Sequence, residues 1–381
     1  MTRKLLFLAN DASSFVSHRL TIAKAAITQG YCVHVAAPSD HGAAKIIRAA
    51  GADFHPVPLD RGSRNPFVEM YTVLFLWSLF GRLKPRIVHC IGMKSVLYGG
   101  IIARMRRVPS AVYAITGLGF MFLHDDIGVR MARILIKILY TFAMRHKNAR
   151  VIFQNSDDRR ILGLNQLFGG TPVDMIRGCG VDLTIFQPRS DRKLFDSDRP
   201  VVMFPARLIR DKGLDEFINA VKLLRPDFPT VRFVLVGRTD VINPTSVTQS
   251  ELQNWVDQGI VEWWGFSNDM ATTLRQADMV VLPSYREGLP RSLIEAAATA
   301  LPVVTTDVPG CRDVVRHGET GLLVPAYDGT ATATAIRQLL NTPNQARAMG
   351  TMGREMAEAE FSVKTFVELS LASYTALEAP E

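Results

Sequence analysis

The stretch SYREGLPRSLIEAAATALPVV, residues 284–304, follows the apolar run Met279–Leu282. This order of apolar run, short loop and alanine-rich segment predicts a strand, a loop and a helix, the repeating unit of parallel α/β sheets. Pro290 has the backbone angle favoured at the first position of a helix, so we expect the helix to begin there. Glu287 then lies in the loop and Glu295 inside the helix, with both carboxylates facing one crevice.

A helix N-terminus beside such a loop presents free backbone N–H groups and the positive end of the helix dipole, which suits a phosphate group. The two carboxylates are suited to bind hydroxyl groups of a sugar attached to that phosphate. The alternative for this segment by itself is an ordinary turn between strand and helix that carries two solvated acids.

Length and composition indicate a globular protein with two domains, because 381 residues with 48% hydrophobic content are enough for two cores. The four cysteines are far apart in the sequence and include no C-x-x-C pair, so neither a disulfide framework nor a zinc site is expected. A reducing cytosol fits this cysteine usage best. The apolar run Leu5–Ala9 is too short for a signal-peptide core, and we expect a first strand there and no export.

The charge differs between the two halves of the chain. Residues 1–190 contain 25 Lys and Arg against 11 Asp and Glu, a charge of +14, and the remainder contains 19 against 25, a charge of −6. A basic half is suited to nucleic acid, to an anionic membrane surface or to a phosphorylated substrate. Because no nucleic-acid-binding motif is present, nucleic acid is the weakest of the three candidates.

Two segments combine apolar and basic residues in a way that is typical of a membrane surface. Met70–Gly81 is uncharged and is followed by Arg82 and Lys84, and Ile127–Lys147 spaces cations among apolar residues. The first segment is too short to span a bilayer of about 30 Å, although it is suited to lie in the interface. The alternative is that both segments are buried helices of an α/β domain whose basic ends reach water.

Apolar strands alternate with helical patterns twice along the chain, which predicts two doubly wound, Rossmann-like parallel sheets facing a cleft. The predicted strands are Lys4–Ala9, Tyr31–Ala37, Phe54–Pro58, Arg86–Ile91, Ser110–Ile115, Val151–Gln154, Val201–Ala206, Arg232–Val236, Ile260–Trp264, Met279–Leu282 and Val303–Thr305. We therefore expect an N-terminal domain over residues 1–190 and a second domain over residues 191–361, with a linker near Gln187–Pro200. A final helix within residues 362–381 is expected to pack back across the cleft.

Several familiar sites are excluded by their missing motifs. The turn after the first strand, Asn10–Arg19, contains no glycine, so the dinucleotide fingerprint of dehydrogenases is absent, and no G-x-x-x-x-G-K-[ST] phosphate loop occurs. The acidic triplet Asp196–Asp198 resembles a D-x-D metal motif, but it precedes a predicted strand instead of following one. A solvated turn is the better interpretation of that triplet.

The stretch FPARLIRDKG, residues 204–213, places Arg207 just after a strand and Lys212 ahead of a helix. An arginine fork and a lysine point charge that converge on one diphosphate would neutralise it as it leaves, without a divalent metal. Taken by itself this pair is a weak signal, because loop cations are usually solvated.

Taken together, the motifs ARLIRDKG, LVG (residues 235–237), WWGFSNDM and the run from ADMVVLPSYREGLP to GLLVP resemble the nucleotide-sugar half of the retaining glycosyltransferases of family 4, which have the two-domain GT-B fold. In the first half, FVSHRL, KPRIVHCIGMKSVLYGG, ITGLGF, FQNSDDRR and GCGVDLTIFQP resemble the branch that acts on polyprenyl-diphosphate-linked glycans in bacterial surface polysaccharide and glycoprotein assembly. The resemblance covers almost the whole chain. It implies that the domain of residues 1–190 binds the acceptor and faces the membrane, and that the domain of residues 191–361 binds the nucleotide-sugar.

The resemblance implies roles for individual residues of the second half. Arg207 and Lys212 would stabilise the departing nucleoside diphosphate, and Glu287 would contact hydroxyls of the transferred sugar. Glu295 would bind the ribose hydroxyls. The remaining contacts to the nucleotide-sugar would come from Gly237 and from the amides of Gly288 and Leu289.

The first half departs from the family pattern at two places. Many relatives have a glycine pair in the first loop, where this chain has Ala12, Ser13 and Ser14; the two serine hydroxyls are expected to replace bare amides at the diphosphate. Many relatives also have a histidine after the fifth strand, where this chain has Thr116 and Gly117. The candidates for the acceptor side are His18, Lys94, Thr116, Gly117 and Asn155.

The resulting hypothesis is a retaining, metal-independent transferase that uses no cofactor. It would move a hexose or N-acetylhexosamine from a UDP-sugar to a polyprenyl-diphosphate-linked saccharide, as a peripheral protein on the cytoplasmic face of an anionic membrane. The alternatives are a catalytically silent nucleotide-sugar-binding partner in a polysaccharide assembly complex and a UDP-sugar epimerase of the same fold. The residues do not determine which sugar, linkage or base is used.

Overall fold

Every strand pair in the first sheet is parallel, so a crossover connection, usually a helix, must join each strand to the next. The computed structural model describes residues 3–60, 62–63, 65–117, 138–162, 170–191, 193–240 and 243–378. Its first elements are β1 (Lys4–Ala9), α1 (Ala12–Thr28), β2 (Cys32–Ala37), α2 (His41–Ala49), β3 (Asp53–Pro56), α3 (Pro66–Leu83), β4 (Ile87–Ile91), α4 (Met93–Met105), β5 (Ser110–Ile115), β6 (Ala149–Phe153), α5 (Ser156–Leu162) and β7 (Val173–Met175). The strands pair in parallel in the order β3-β2-β1-β4-β5-β6-β7.

Strand β1 shows why this sheet is covered on both faces. Successive side chains of a strand point to opposite faces, and here both sets are apolar. Leu5 and Phe7 enter one hydrophobic core, whereas Leu6 and Leu8 enter the other, and all four are fully buried. A strand of this kind is stable only with helices on each side of it.

The second sheet repeats this architecture. Its elements are β8 (Val201–Pro205), a 3₁₀ turn (Arg210–Lys212), α6 (Leu214–Leu224), β9 (Arg232–Val236), α7 (Gln249–Asp257), β10 (Glu262–Trp263), α8 (Met270–Leu274), β11 (Met279–Leu282), α9 (Arg291–Ala298), β12 (Val303–Thr306), β13 (Gly321–Val324), α10 (Gly329–Asn341) and α11 (Pro343–Glu360). The order is β10-β9-β8-β11-β12-β13, again parallel throughout. Because the turn after β8 and the loop after β11 leave neighbouring strands, they meet at one edge of the sheet.

The chain forms two compact units, Met1–Gly180 with Val363–Glu381 and Val181–Ser362. The division lies between Gly180 and Val181, whereas the sequence placed it after residue 190. Arg189, in the polar stretch that the sequence assigned to the linker, is buried in the second unit, where it donates to Asp278 at 2.9 Å. Asp278 also accepts the backbone N–H of Val201 at the start of β8. The stretch around Arg189 is therefore part of the second unit, because the carboxylate of Asp278 neutralises the charge of Arg189 there.

The last helix, α12 (Val363–Glu378), belongs to the first unit. Phe366 and Tyr374 are buried in the same core as Phe7. The Tyr374 hydroxyl shares a hydrogen bond of 2.6 Å with Nδ1 of His89 on β4. The helix ends at Glu378, which accepts a hydrogen bond from Tyr31 at 2.9 Å and pairs with Arg3. The final helix is thus an integral layer of the first domain.

The structure confirms the predicted fold class and the predicted strands, with shifts of one or two residues at some ends. The edge strands β7 and β13 were missed, because runs of three or four residues carry no usable periodicity. The predicted helix start at Pro290 was wrong by one residue. Pro290 has an extended ψ of 113° and caps the helix, which begins at Arg291.

Within the described ranges, none of the helices has the length and hydropathy that crossing a lipid bilayer requires. The apolar segment Met70–Gly81 lies inside α3. Of the basic segment 127–147, residues 127–137 lie outside the described residues, and residues 138–144 are helical.

The buried His89 predicts a loss of stability in acid. Burial lowers the pKa of His89 to about 3, so folding holds this ring neutral, whereas the unfolded chain takes up a proton below about 6.5. The stability contributed by the neutral ring is therefore present above pH 6.5 and falls as the pH drops towards 3. Between pH 7 and pH 5 this one residue should cost about 2 kcal/mol of the free energy of unfolding.

Urea unfolding of the wild type, of His89→Gln and of the exposed control His41→Gln at pH 7 and pH 5 measures this cost. We expect a smaller pH dependence in His89→Gln alone. Equal pH dependence in all three proteins would contradict the assignment.

Candidate active site

Glu287 lies in the loop between β11 and α9, and its carboxylate is held from two sides. Oε1 accepts a hydrogen bond from Lys212 at 2.5 Å and another from the buried Ser284 hydroxyl at 2.7 Å. The backbone N–H of Glu287 donates to the carbonyl of Pro309 at 3.1 Å. With its side chain only 10% exposed, the carboxylate has a defined position.

Lys212 reaches this carboxylate because two loops interlock. Gly213, which follows the 3₁₀ turn, has a φ of +73°, and a Cβ atom there would overlap the carbonyl of Pro283. The backbone N–H of Tyr285 donates to the carbonyl of Asp211 at 3.0 Å. Only glycine combines this φ with so close an approach of the two backbones. The tertiary contact therefore joins two residues that are 75 positions apart in the sequence.

Tyr285 fastens the same two loops through its side chain. Its hydroxyl lies 2.8 and 2.9 Å from the two carboxylate oxygens of Glu216 in the first turn of α6. Burial, together with the hydrogen bond to Glu216, raises the pKa of Tyr285. The ring also stacks on Tyr327, with ring centroids 3.9 Å apart. Tyr285 belongs to the motif at residues 284–304, but no local pattern indicated its contact with Glu216.

Arg207 follows β8 as predicted, although its partner was not foreseen. Its guanidinium donates to Asp240 at 2.6 Å, and its side chain is 44% exposed. Gly237, with a φ of +154°, ends β9 so close to β8 that a Cβ atom would overlap the carbonyl of Ala206. The convergence of Arg207 with Lys212 on one diphosphate remains a prediction.

Glu295 lies in α9 and is only 6% exposed. Burial raises the pKa of its carboxyl group, and the guanidinium of Arg291, which donates to Oε1 at 2.6 Å, opposes that effect. Gly288 and the buried Leu289 precede the helix. Gly310, with a φ of +82°, lies tightly against the carbonyls of Glu287 and Gly288. In the sequence, the Pro-Gly pair at 309–310 indicates the turn that makes this contact.

In the first unit, Ser13 and Ser14 lie on the first turn of α1, where both are exposed. The Ser13 hydroxyl donates to Asp40 at 2.6 Å, and this hydrogen bond lowers the pKa of Asp40. Asp11 caps the helix by accepting the Ser14 N–H at 2.6 Å. Asn10, which the sequence analysis did not select, accepts from the N–H and the hydroxyl of Ser95 at 3.0 and 2.5 Å.

The acceptor-side candidates occupy different environments. His18 contacts its own helix, with Nδ1 2.9 Å from the carbonyl of Ser14. Lys94 donates to the carbonyls of Asp60 and Ser63 and to Glu69, so it holds the segment before α3. Thr116 and Gly117 follow β5 and are half-buried. Asn155 is fully buried and accepts the N–H of Asp158 at 2.7 Å, which caps α5. Their roles towards an acceptor remain predictions.

The acidic triplet is consistent with a turn. Asp196 and Asp198 are exposed and lie in the irregular segment before β8.

The thiol of Cys311 is buried near Glu287, and burial raises its pKa to about 12. A group that holds its proton so firmly is unsuited to act as a nucleophile.

Two family models match the chain. Residues 4–155 match the model described as glycosyl transferase 4-like, and residues 199–342 match the model described as glycosyl transferases group 1.

Two curated proteins are similar over most of the chain. The N,N'-diacetylbacillosaminyl-diphospho-undecaprenol alpha-1,3-N-acetylgalactosaminyltransferase of Campylobacter jejuni is 28% identical over 345 residues, which are 88% of each chain. The UDP-Gal:alpha-D-GlcNAc-diphosphoundecaprenol alpha-1,3-galactosyltransferase of Escherichia coli is 26% identical over 269 residues, which are 68% of this chain and 67% of that protein.

Among solved structures, Anabaena HepE in complex with UDP superposes with a TM-score of 0.77 at 18% identity, covering 98% of this chain and 100% of HepE. This similarity supports the two-domain GT-B architecture.

Glu295→Gln should stabilise the protein at alkaline pH. Because the pKa of Glu295 is raised in the folded state, ionising it costs folding free energy as the pH rises above the usual range of a glutamate. The neutral isostere avoids that cost. We expect a gain of about 1 kcal/mol in the free energy of unfolding at pH 8 and a smaller gain at pH 4.5.

Thermal unfolding at both pH values measures the effect, with Glu319→Gln, an exposed glutamate, as the control. A lower melting temperature for Glu295→Gln at pH 8 would show that the pair with Arg291 outweighs the cost of burial.

Proposed function

We propose a sugar transfer for this chain, which belongs to the group 1 and 4-like glycosyltransferases with the GT-B fold. A hexose or N-acetylhexosamine moves from a UDP-sugar to a polyprenyl-diphosphate-linked saccharide with retention of configuration. The observation that carries the proposal is the Lys212–Glu287 pair at the interlocked loops of the second unit. The pair brings a cation next to the carboxylate that we assign to the sugar hydroxyls.

In the proposed reaction, the bond between the sugar C1 and the diphosphate oxygen breaks as negative charge collects on the leaving phosphate. Lys212 and Arg207 stabilise that charge, and preformed cations of this kind are worth several kcal/mol in the transition state. We assign the Oε2 atom of Glu287 to a sugar hydroxyl, because Lys212 and Ser284 both hold Oε1. Glu295 binds the ribose hydroxyls, and the backbone around Gly288 and Leu289 contacts the diphosphate.

Retention follows from chemistry at the donor. A UDP-hexose carries an α-linked diphosphate, and both transferases named above form α bonds according to their names. In our proposal the acceptor hydroxyl attacks C1 from the face of the leaving group, and its proton passes to a phosphate oxygen. No protein nucleophile takes part, and the firmly protonated thiol of Cys311 agrees with this route.

The acceptor belongs to the first unit in this proposal. The two relatives act on diphospho-undecaprenol-linked sugars by name, and the positive charge of residues 1–190 suits an anionic diphosphate and an anionic membrane. We assign Thr116 and Gly117, which follow β5, to the contact with such an acceptor. Lys94 acts through the segment that it holds before α3.

Transfer of a labelled sugar tests the proposal. UDP-hexoses and UDP-N-acetylhexosamines are offered with undecaprenyl-diphosphate-linked GlcNAc in EDTA, and the anomeric configuration of the product is read by NMR. We expect an α-linked product without metal. Lys212→Ala should lower kcat by about 100-fold or more, and Glu287→Gln should lower kcat/KM by about 10- to 100-fold, whereas the exposed control Lys222→Ala on α6 keeps its activity.

The other outcomes are distinct. UDP binding without turnover on any acceptor would favour the silent binding partner, and conversion of UDP-GlcNAc without an acceptor would favour the epimerase. Activity that EDTA abolishes and Mg²⁺ restores would refute the metal-free mechanism.

Membrane association rests on an exposed apolar strip of α3, which we define as Phe67, Met70, Tyr71 and Leu74. Their spacing of three and four residues places them on one face of the helix. They are 83, 59, 60 and 59% exposed, whereas Leu76, Leu79 and Phe80 in the second half of the helix are buried. Exposed aromatic and aliphatic groups of this size are suited to enter a lipid interface.

Flotation with anionic liposomes tests this strip. Phe67→Ser with Leu74→Ser should weaken binding more than 10-fold, because each inserted side chain contributes about 1.5–3 kcal/mol. The matched control replaces Leu223 and Met352, two exposed apolar residues of the second unit, with serine. Equal flotation of both double variants would exclude the α3 strip as the membrane contact.

A further inference from the structure

The edge of the first sheet carries two short motifs that the proposed transfer reaction does not use. C-x-H at residues 32–34 lies on β2 and D-x-H at residues 53–55 lies on the edge strand β3. The register pairs His34 with Asp53. Because side chains two residues apart in a strand share a face, Cys32, His34, Asp53 and His55 all project from the same side of the sheet.

The ring of His34 lies at the centre of this group and is 6% exposed. Its Nδ1 atom is 3.2 Å from Oδ2 of Asp53 and 3.2 Å from Nε2 of His55. Its Nε2 atom is 3.6 Å from Sγ of Cys32. One ligand atom each from Cys32, His34 and Asp53 lie within 4.8 Å of one another.

A thiol, an imidazole and a carboxylate thus meet at one point of the sheet edge. A neutral imidazole has one N–H and one lone pair, so the ring of His34 either shares hydrogen bonds with these neighbours or binds a metal ion through one nitrogen.

The distances suit such a cation. Zinc binds histidine nitrogen at about 2.0–2.1 Å and carboxylate oxygen at about 2.0–2.2 Å, so adjacent ligand atoms of a tetrahedral site are about 3.3 Å apart. The 3.2 Å between Nδ1 of His34 and Oδ2 of Asp53 has this length, and a ligand atom of Cys32 lies within 4.8 Å of those of His34 and Asp53.

We propose that Cys32, His34 and Asp53 bind a divalent transition metal ion such as Zn²⁺, with His55, whose Nε2 atom lies 3.2 Å from Nδ1 of His34, packed against the site. The ion would cross-link the edge strand β3 to β2. The spacing of the cysteines gave no indication of this site, since only the parallel pairing of two strands brings the four side chains together.

The surroundings of the site set its affinity. Lys4 acts on His34, and Arg48 and Arg82 act on His55, each as a nearby positive charge. These charges oppose any cation, whereas the carboxylate of Asp53 favours it. Removing one of the arginines should therefore strengthen metal binding.

Titration of the untagged full chain, first stripped with a chelator, tests the proposal. Zn²⁺ binding is followed by calorimetry and by the melting temperature, and Co²⁺ is followed by its visible absorption, which reports tetrahedral coordination. We expect one site. Asp53→Asn and Cys32→Ser should each weaken Zn²⁺ at least 10-fold, His55→Gln should weaken it less, and Arg82→Gln should tighten it.

Asp53 is mostly exposed, so Asp53→Asn keeps the fold even where a change at the buried His34 would not. The exposed His41→Gln is the matched control and should bind Zn²⁺ like the wild type. Equal Zn²⁺ affinity in the wild type and in Asp53→Asn, or no Zn²⁺-dependent rise in melting temperature, would overturn the proposal. Transferase activity is not the readout, so failure here would leave the proposed reaction untouched.

Discussion

The candidate active site depends on the contact of Gly213 with the carbonyl of Pro283. A side chain at position 213 would collide with that carbonyl, and the backbone there has a φ that side chains other than glycine rarely adopt. The contact lets the turn after β8 and the loop after β11 interlock, so that Lys212 meets Glu287. The bond of Tyr285 to Glu216 holds the same loops from the other side. A cation and a carboxylate are thereby preorganised before any ligand arrives, which is what stabilising a developing charge requires.

A second buried carboxylate, Asp278, is also held by a cation and by hydrogen bonds. Asp278 has no exposed surface, and it accepts hydrogen bonds from Arg189 and from the backbone at Phe195 and Val201. These bonds offset the loss of hydration that an isolated buried carboxylate would suffer. Glu295 is less fully compensated, since burial outweighs its pair with Arg291. A destabilised carboxylate within a candidate nucleotide site is typical of positions retained for binding rather than for stability.

The first unit adds a different constraint, because its last layer comes from the far end of the chain. Helix α12 supplies Phe366 and Tyr374 to the core around β1, and Tyr374 is hydrogen-bonded to His89. Burial, together with the nearby positive charge of Arg19, lowers the pKa of His89 and keeps this histidine neutral in the interior. The exposed strip of α3 shows the opposite arrangement, since apolar side chains there remain in water although the second half of the same helix is buried.

The sequence by itself determined the fold class, the positions of nearly all strands, and the residue types at the loops after β8 and β11, because these follow from apolar periodicity, from proline and glycine, and from motifs local in the chain. Tertiary structure alone decided which of those residues touch. Lys212 and Glu287, Arg207 and Asp240, and the cluster around His34 are each assembled by strand order or register, which local patterns do not encode. The short edge strands β7 and β13 escaped for a related reason, since they are stabilised by their neighbours in the sheet and not by any pattern of their own.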